Sequence, residues 1–306
     1  MTRTRLIAAA IVVTSLVALL WLDYQCGTPQ WLGRPGMVLA VCCFVFGLMS
    51  VSEVLHFDAA GGDRGVRPWA VYLGTALVIG FAFFPLFDPD YPADCTIGRL
   101  GWLAFGMAAA IGIAFVSQMI GYRNGDRVMD HVARTLLIIA YVGLLMGFWA
   151  PIRGYHSNAW GLVALLSLFV TVKMSDSLAY LVGKAWGRRK LAPELSPGKT
   201  VEGVLGGFFG GCLGAVIVFY VLAPWLTGES PSVGLPMLLL FAAVVTLAGI
   251  VGDLAESLMK RDGGVKDSSR WLPGLGGITD MTDSLLSAGP VVMAFWGGGL
   301  LGPAVS

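Results

Sequence analysis

Charge is what this chain of 306 residues has least of. Asp, Glu, Lys and Arg make up 13% of it and hydrophobic residues 56%, whereas about a quarter of an ordinary soluble domain is charged. That shortage excludes an ordinary water-exposed globular fold. The formal net charge is only +1, so bulk charge predicts no acidic polymer as partner, and no nucleic acid is expected. Histidine is scarce as well. His56, His131 and His156 are scattered, which argues against a histidine-based zinc site. The five cysteines, at 26, 42, 43, 95 and 212, form no C-x-x-C pair, are odd in number, and include two neighbours inside an apolar run. Buried or lipid-facing thiols fit that pattern better than disulfides or zinc ligands. There is also no long polar linker, low-complexity tract or clear internal repeat, so no separate soluble domain is expected.

What the chain does have is a series of long apolar runs. They fall near residues 6–22, 36–55, 68–87, 100–120, 132–152, 161–182, 204–226, 235–256 and 273–301. Each approaches the ~20 residues that a bilayer requires of a helix. The first run follows Arg3 and Arg5 and is read as a span rather than a cleaved leader, since Trp21 and Tyr24 make poor cleavage flanks. The expected fold is an all-α integral membrane protein of about nine transmembrane helices. Residues 1–306 form one polytopic membrane domain in this reading, with 1–160 as scaffold spans and 161–306 as catalytic spans and cytoplasmic loops.

Lys and Arg set the orientation. With a cytoplasmic N-terminus, sixteen of the 20 Lys and Arg fall in cytoplasmic segments, and only Arg34, Arg99 and Arg153 fall outside. Lys173 lies within a span. Nine spans then put the C-terminus outside. A multi-pass protein of the cell's inner (cytoplasmic) membrane is expected. In the first half, Glu53, Ser117 and Gln118 lie near span ends and are read as interfacial. Gly206, Gly210 and Gly214, at steps of four, read as a surface for close helix packing. The Gly-rich spans leave a homodimer open.

Polar residues enter the spans from Lys173 onward, in three groups. Lys173, Asp176, Ser177, Tyr180 and Lys184 share a helical stripe; either it lines a polar cavity or Lys173 and Asp176 simply satisfy each other. The loop 187–203, GRRKLAPELSPGKTVEG, ends in SPGKT. It is not a phosphate-binding loop of the Walker type, because Pro193 stands where that motif needs glycine. Pro197, Gly198, Lys199 and Thr200 still read as an anion-binding turn before a helix. The third group is 252–284, GDLAESLMKRDGGVKDSSRWLPGLGGITDMTDS. Asp253, Glu256, Ser257 and Lys260 fall on one helical face, as do Asp280, Asp283 and Ser287 on the next segment. Carboxylates at a helix centre in lipid cost roughly 2.5–3.5 kcal/mol each on insertion scales. Asp253, Asp280 and Asp283 offer the hard oxygens that Mg²⁺ takes together with substrate phosphates. The plainer alternative pairs these carboxylates with Lys260, Arg261 and Lys266.

At these residues the sequence resembles the phosphatidate cytidylyltransferase (CDP-diacylglycerol synthase) family. Ser257, Lys260, Arg261, Lys266 and Asp267 match the spacing of its S-x-x-K-R-x4-K-D signature. Pro273, Gly274, Gly276, Gly277, Asp280 and Asp283 match the segment that follows. The run DSLAYLVGKAWGRRKLAPELSPGKTVEGVLGG and the GDLAES at 252–257 are similar to further family motifs. Specific matches cover residues 176–284. Two positions depart, with Leu275 where the family has His and Met281 where it has Arg.

The resemblance implies transfer of a cytidylyl group from CTP to the membrane lipid phosphatidate, releasing pyrophosphate at a site facing the cytoplasm. It implies Mg²⁺, alone or with a second cation, on Asp253, Asp280 and Asp283. Lys260 and Lys266 act beside them, with Arg261, Lys199, Ser196, Asp176, Glu256 and Asp267 around the substrates. Three alternatives stay open at this point: a CTP-dependent enzyme on another lipid phosphate, a non-catalytic relative, and a transporter.

Overall fold

The computed structural model describes residues 2–62, 65–88, 91–92, 94–124, 126–229, 233–265 and 276–303, with side chains from residue 14 onward. The described chain is helical almost throughout. Its helices are α1 (Thr2–Cys26), α2 (Met37–Ala60), α3 (Pro68–Phe87), α4 (Gly98–Met119), α5 (Val128–Arg153), α6 (Asn158–Trp186), α7 (Val201–Thr227), α8 (Leu235–Asp262) and α9 (Ile278–Gly297). Seven of them, α2 to α8, are long and apolar enough to cross a membrane by length and composition. The remaining two, α1 and α9, coincide with the first and last of the expected runs.

Local chemistry explains where several helices begin. Pro68 opens α3, at the position where a missing N–H costs nothing. The buried Asp23 side chain accepts from the backbone amides of Gly36, Val38 and Leu39 at 3.2, 2.9 and 3.0 Å and so caps α2. Ser157 caps α6, and Thr200 caps α7 by accepting from the Gly203 amide at 3.1 Å. Two helices run beyond their apolar cores. Continuing to Trp186, α6 takes in Lys184; α8 continues to Asp262 and takes in Lys260 and Arg261. Basic residues suit the negative end of the helix dipole. These cations therefore stand on helix ends.

An antiparallel hairpin of β1 (Lys190–Ala192) and β2 (Ser196–Thr200) interrupts the helical pattern, pairing Lys190 with Thr200 and Ala192 with Ser196. The SPGKT segment is thus a strand leading straight into the α7 cap, where the sequence suggested a turn.

The chain divides into two compact units. One comprises residues 1–151 and 259–281. Its core is built from Val51, Val54 and Phe57 of α2, Val78, Ile79 and Phe83 of α3, and Ile139, Val142 and Met146 of α5, all buried. The other comprises residues 152–258 and 282–306. Its core centres on fully buried Trp296, whose indole N–H donates to Ser167 Oγ at 3.0 Å and whose ring stacks on Phe219 at 5.6 Å. Within this unit the α7 glycines pack on α6. A Cβ at Gly206 would sit 2.6 Å from Val182, and one at Gly210 2.4 Å from the Met174 carbonyl oxygen. The small-residue stripe is used inside the chain, so it supplies no argument for a second copy.

Candidate active site

The polar residues of the sequence fall into separate groups in the two units. In the unit of residues 152–258 and 282–306, β2 and α8 bring Lys199 to Asp253. Lys199 Nζ is shielded from solvent and lies 2.8 Å from Asp253 Oδ2, a close ion pair without the angles of a directed hydrogen bond. The side chains are 21% and 40% exposed. One turn further along α8, Glu256 is buried. On α9, Asp283 is also buried, at 4% exposure. Asp253 and Glu256 are near enough to repel its carboxylate, and Lys173 of α6 is near enough to attract it.

Gly252 makes this gathering of charge possible. A Cβ there would lie 2.4 Å from the Asp283 carbonyl oxygen and 2.6 Å from Ser287 Oγ. Only a residue without a side chain lets α8 and α9 approach so closely at the height of the carboxylates. Lys173 also pairs with Asp176 at 3.2 Å. Both of those side chains are about 40% exposed. The hairpin is tied to α7 by Glu202, which accepts from the amides of Arg188 and Arg189 at 3.0 and 3.1 Å. Pro197 and Gly198 are exposed on β2, and Ser196 is half-buried.

In the unit of residues 1–151 and 259–281, the last turn of α8 and the first turn of α9 meet. Lys260 Nζ donates to Asp280 Oδ1 at 2.7 Å, with side-chain exposures of 12% and 25%. The other carboxylate oxygen of Asp280 accepts from the Gly277 amide at 2.7 Å. Gly276, at φ +90°, makes the turn into the helix, and a Cβ there would lie 2.6 Å from Asp280 Oδ2. Arg261 is exposed beside this turn. Lys266, Asp267 and Leu275 lie outside the described residues.

Two expected carboxylates are therefore paired with lysine, as the plainer alternative held: Asp280 with Lys260, and Asp253 with Lys199, a lysine outside that alternative. Among the described residues no group of three or more His, Cys, Asp or Glu could hold a metal ion by itself. Mg²⁺ does not require such a cage; it is commonly held by one or two carboxylates plus substrate phosphates. The carboxylate oxygens at Asp253, Asp280 and Asp283 are of the type it takes.

The reading of Glu53 as an interfacial side chain needs correction. It is buried, at 5% exposure, and accepts from the Ile278 and Thr279 amides at 3.0 and 2.8 Å. The only sequence signal was a carboxylate inside an apolar run; its partner lies 225 positions away. Ser117 and Gln118 are buried as well. Ser117 Oγ donates to the Ala114 carbonyl at 2.7 Å, and Gln118 Nε2 to the Gly65 carbonyl at 3.1 Å.

Lysines held against carboxylates are groups that can handle phosphates, and the chain is similar to known proteins. The chain is 43% identical over 141 residues to the phosphatidate cytidylyltransferase of Haemophilus influenzae, covering 46% of this chain and 48% of that protein. It is 35% identical over 230 residues to that of Pseudomonas aeruginosa, covering 74% and 78%. With that of Staphylococcus epidermidis it shares 36% identity over 262 residues, covering 85% and 90%. The sequence model of the Cytidylyltransferase family matches residues 3–297. With nearly its whole length matched, the chain belongs to the Cytidylyltransferase family.

Proposed function

We propose that the chain is a phosphatidate cytidylyltransferase, converting CTP and phosphatidate into CDP-diacylglycerol and pyrophosphate. The observation that carries this is the family match over residues 3–297, joined by relatives of that name covered over most of their length. An oxygen of the phosphatidate phosphomonoester attacks the α-phosphorus of CTP. A new P–O–P bond forms, the bond from the α-phosphorus to the β-bridging oxygen breaks, and its electron pair leaves with pyrophosphate. The phosphomonoester is already largely ionised at neutral pH, with a second pKa near ~6, so no general base is required. The scarcity of histidine is no obstacle.

The chain's own task is positioning and charge. Asp253, Asp280 and Asp283 are the proposed carboxylates for Mg²⁺, alone or with a second cation, which when bound would offset phosphate charge. Lys199 and Lys260 hold Asp253 and Asp280 in their absence of substrate and turn to the phosphates when CTP arrives. Lys266 and Arg261 add cationic charge in the same stretch. Glu256, Asp176, Ser196 and Asp267 are assigned to the polar surroundings of the substrates.

We further propose nine spans with the N-terminus and the active site on the cytoplasmic side of the inner membrane. The sixteen-to-three division of Lys and Arg supports this orientation. A homodimer draws no support from the α7 glycines. Met281 and Leu275 favour a second reading, in which the acceptor is another lipid phosphate. The test is purified protein in detergent with labelled CTP, Mg²⁺ and either phosphatidate or a polyprenyl phosphate. Transfer to phosphatidate alone supports the proposal; transfer only to the polyprenyl phosphate would replace it.

A further inference from the structure

Glu53 is a buried charge that none of the proposed chemistry uses. It sits near the C-terminal end of α2, in the stretch that reads from sequence as scaffold. Its carboxylate meets the start of α9: Oε1 accepts from the Ile278 amide at 3.0 Å and Oε2 from the Thr279 amide at 2.8 Å. These are among the helix's first amides, which have no partner within the helix. The residue before them is Gly277, which has no side chain to serve as a cap. A Cβ at Gly277 would lie 2.5 Å from Glu53 Oε2, so the distant carboxylate fills the space that a local cap would need. The same turn is held from inside by Asp280, which accepts from the Gly277 amide and from Lys260. Two carboxylates thus share one helix start: Glu53 fixes the backbone, and Asp280 rides on it. Charge-assisted bonds to helix-start amides are stronger than neutral ones.

We infer that Glu53 is a positioning residue for the reaction, setting the first turn of α9 and through it the direction of the Asp280 carboxylate. This rests on the assignment of Asp280 made above. Glu53 touches neither substrate nor reacting atoms in this account. Its effect is transmitted through two peptide groups, as outer partners of metal-binding carboxylates transmit theirs.

The test compares wild type, Glu53→Ala, Glu53→Gln and Asp280→Asn as full-length protein in detergent, by hydrogen–deuterium exchange and by Mg²⁺ titration of activity. In Glu53→Ala, exchange at residues 277–280 should rise about tenfold while the cores of both units stay protected. Its kcat should fall about tenfold or more, with a higher Mg²⁺ requirement and a smaller change in KM for CTP. Glu53→Gln keeps one acceptor oxygen and should recover part of each effect. Wild-type exchange at 277–280 in Glu53→Ala would overturn the inference. So would lost activity that merely follows lost folded protein, with the Mg²⁺ requirement unchanged. If Glu53→Ala does not fold, Glu53→Gln carries the same comparison. Full activity in Asp280→Asn would refute the role of Asp280 itself, and the exchange data would identify that failure separately.

Discussion

The Lys260–Asp280 pair permits a double-mutant cycle in which stability and activity part company. At 2.7 Å, with exposures of 12% and 25%, the pair is mostly shielded from solvent. Removing one partner from a fully buried pair costs about 3–5 kcal/mol. Partial exposure of Asp280 screens the remaining charge, which lowers the expected cost of Lys260→Met to about 2 kcal/mol. In a chain of this size that corresponds to a melting temperature lower by about 4 °C. Replacing both partners should restore most of that loss, because buried ion pairs exchanged for neutral groups are often close to isoenergetic. The double variant Lys260→Met/Asp280→Asn should therefore melt within about 2 °C of wild type. It should nonetheless stay inactive, with cytidylyl transfer down by about 100-fold or more, the scale of losing a charge stabiliser. Scanning fluorimetry in detergent, beside the transfer assay, measures both. A double variant whose losses simply add would show that the pair has no energetic coupling. One that regains activity with stability would refute the placing of either residue in the site.

Other expectations follow from single observations. Gly252→Val should drive α8 from α9 at the Asp283 level, lowering both melting temperature and activity, by about 3 kcal/mol in stability given the overlap with backbone; wild-type melting would refute the close approach. Lys199→Ala should weaken CTP use more than it lowers stability, read as a rise in KM for CTP of about tenfold, the scale of one charge-assisted contact. An unchanged KM would remove Lys199 from the phosphates. Chelation with EDTA should abolish transfer and Mg²⁺ should restore it; transfer that survives EDTA would remove the metal from the account. Cys95 lies in the α3–α4 connection expected outside, and its hydrogen bond with Tyr91 lowers its thiol pKa below the usual value. More of it is thiolate at a given pH. An impermeant maleimide should label Cys95 in intact cells, more slowly in Tyr91→Phe, and labelling only in inverted vesicles would reverse the orientation.

The helices were legible because each apolar run is about as long as a bilayer is thick, and that needs no knowledge of partners. Their ends were less so. The spacing puts Lys184 and Lys260 on helical faces but does not say where each helix stops; the last turns of α6 and α8 take in both, together with Arg261. The SPGKT strand was not legible, since Pro197 and Gly198 argue for a turn and it is the pairing of Ser196 with Ala192 and of Thr200 with Lys190 that makes it a hairpin. Among site residues, spacing alone put Asp253 with Glu256, and Asp280 with Asp283, on common helices. It could not find Lys199 beside Asp253, because that contact joins a strand to a distant helix. Glu53 was misjudged for the same reason. A lone carboxylate near a span end looks interfacial until the amides that satisfy it are known.

The most direct test follows the label. Purified protein is given phosphatidate and Mg²⁺ with CTP carrying radioactive phosphorus at either the α or the γ position. The account predicts that α-label enters the lipid fraction as CDP-diacylglycerol while γ-label is released as pyrophosphate, both ceasing in Asp280→Asn. γ-Label in the lipid would mean phosphoryl rather than cytidylyl transfer, and α-label in the lipid from Asp280→Asn at the wild-type rate would mean that the site lies elsewhere.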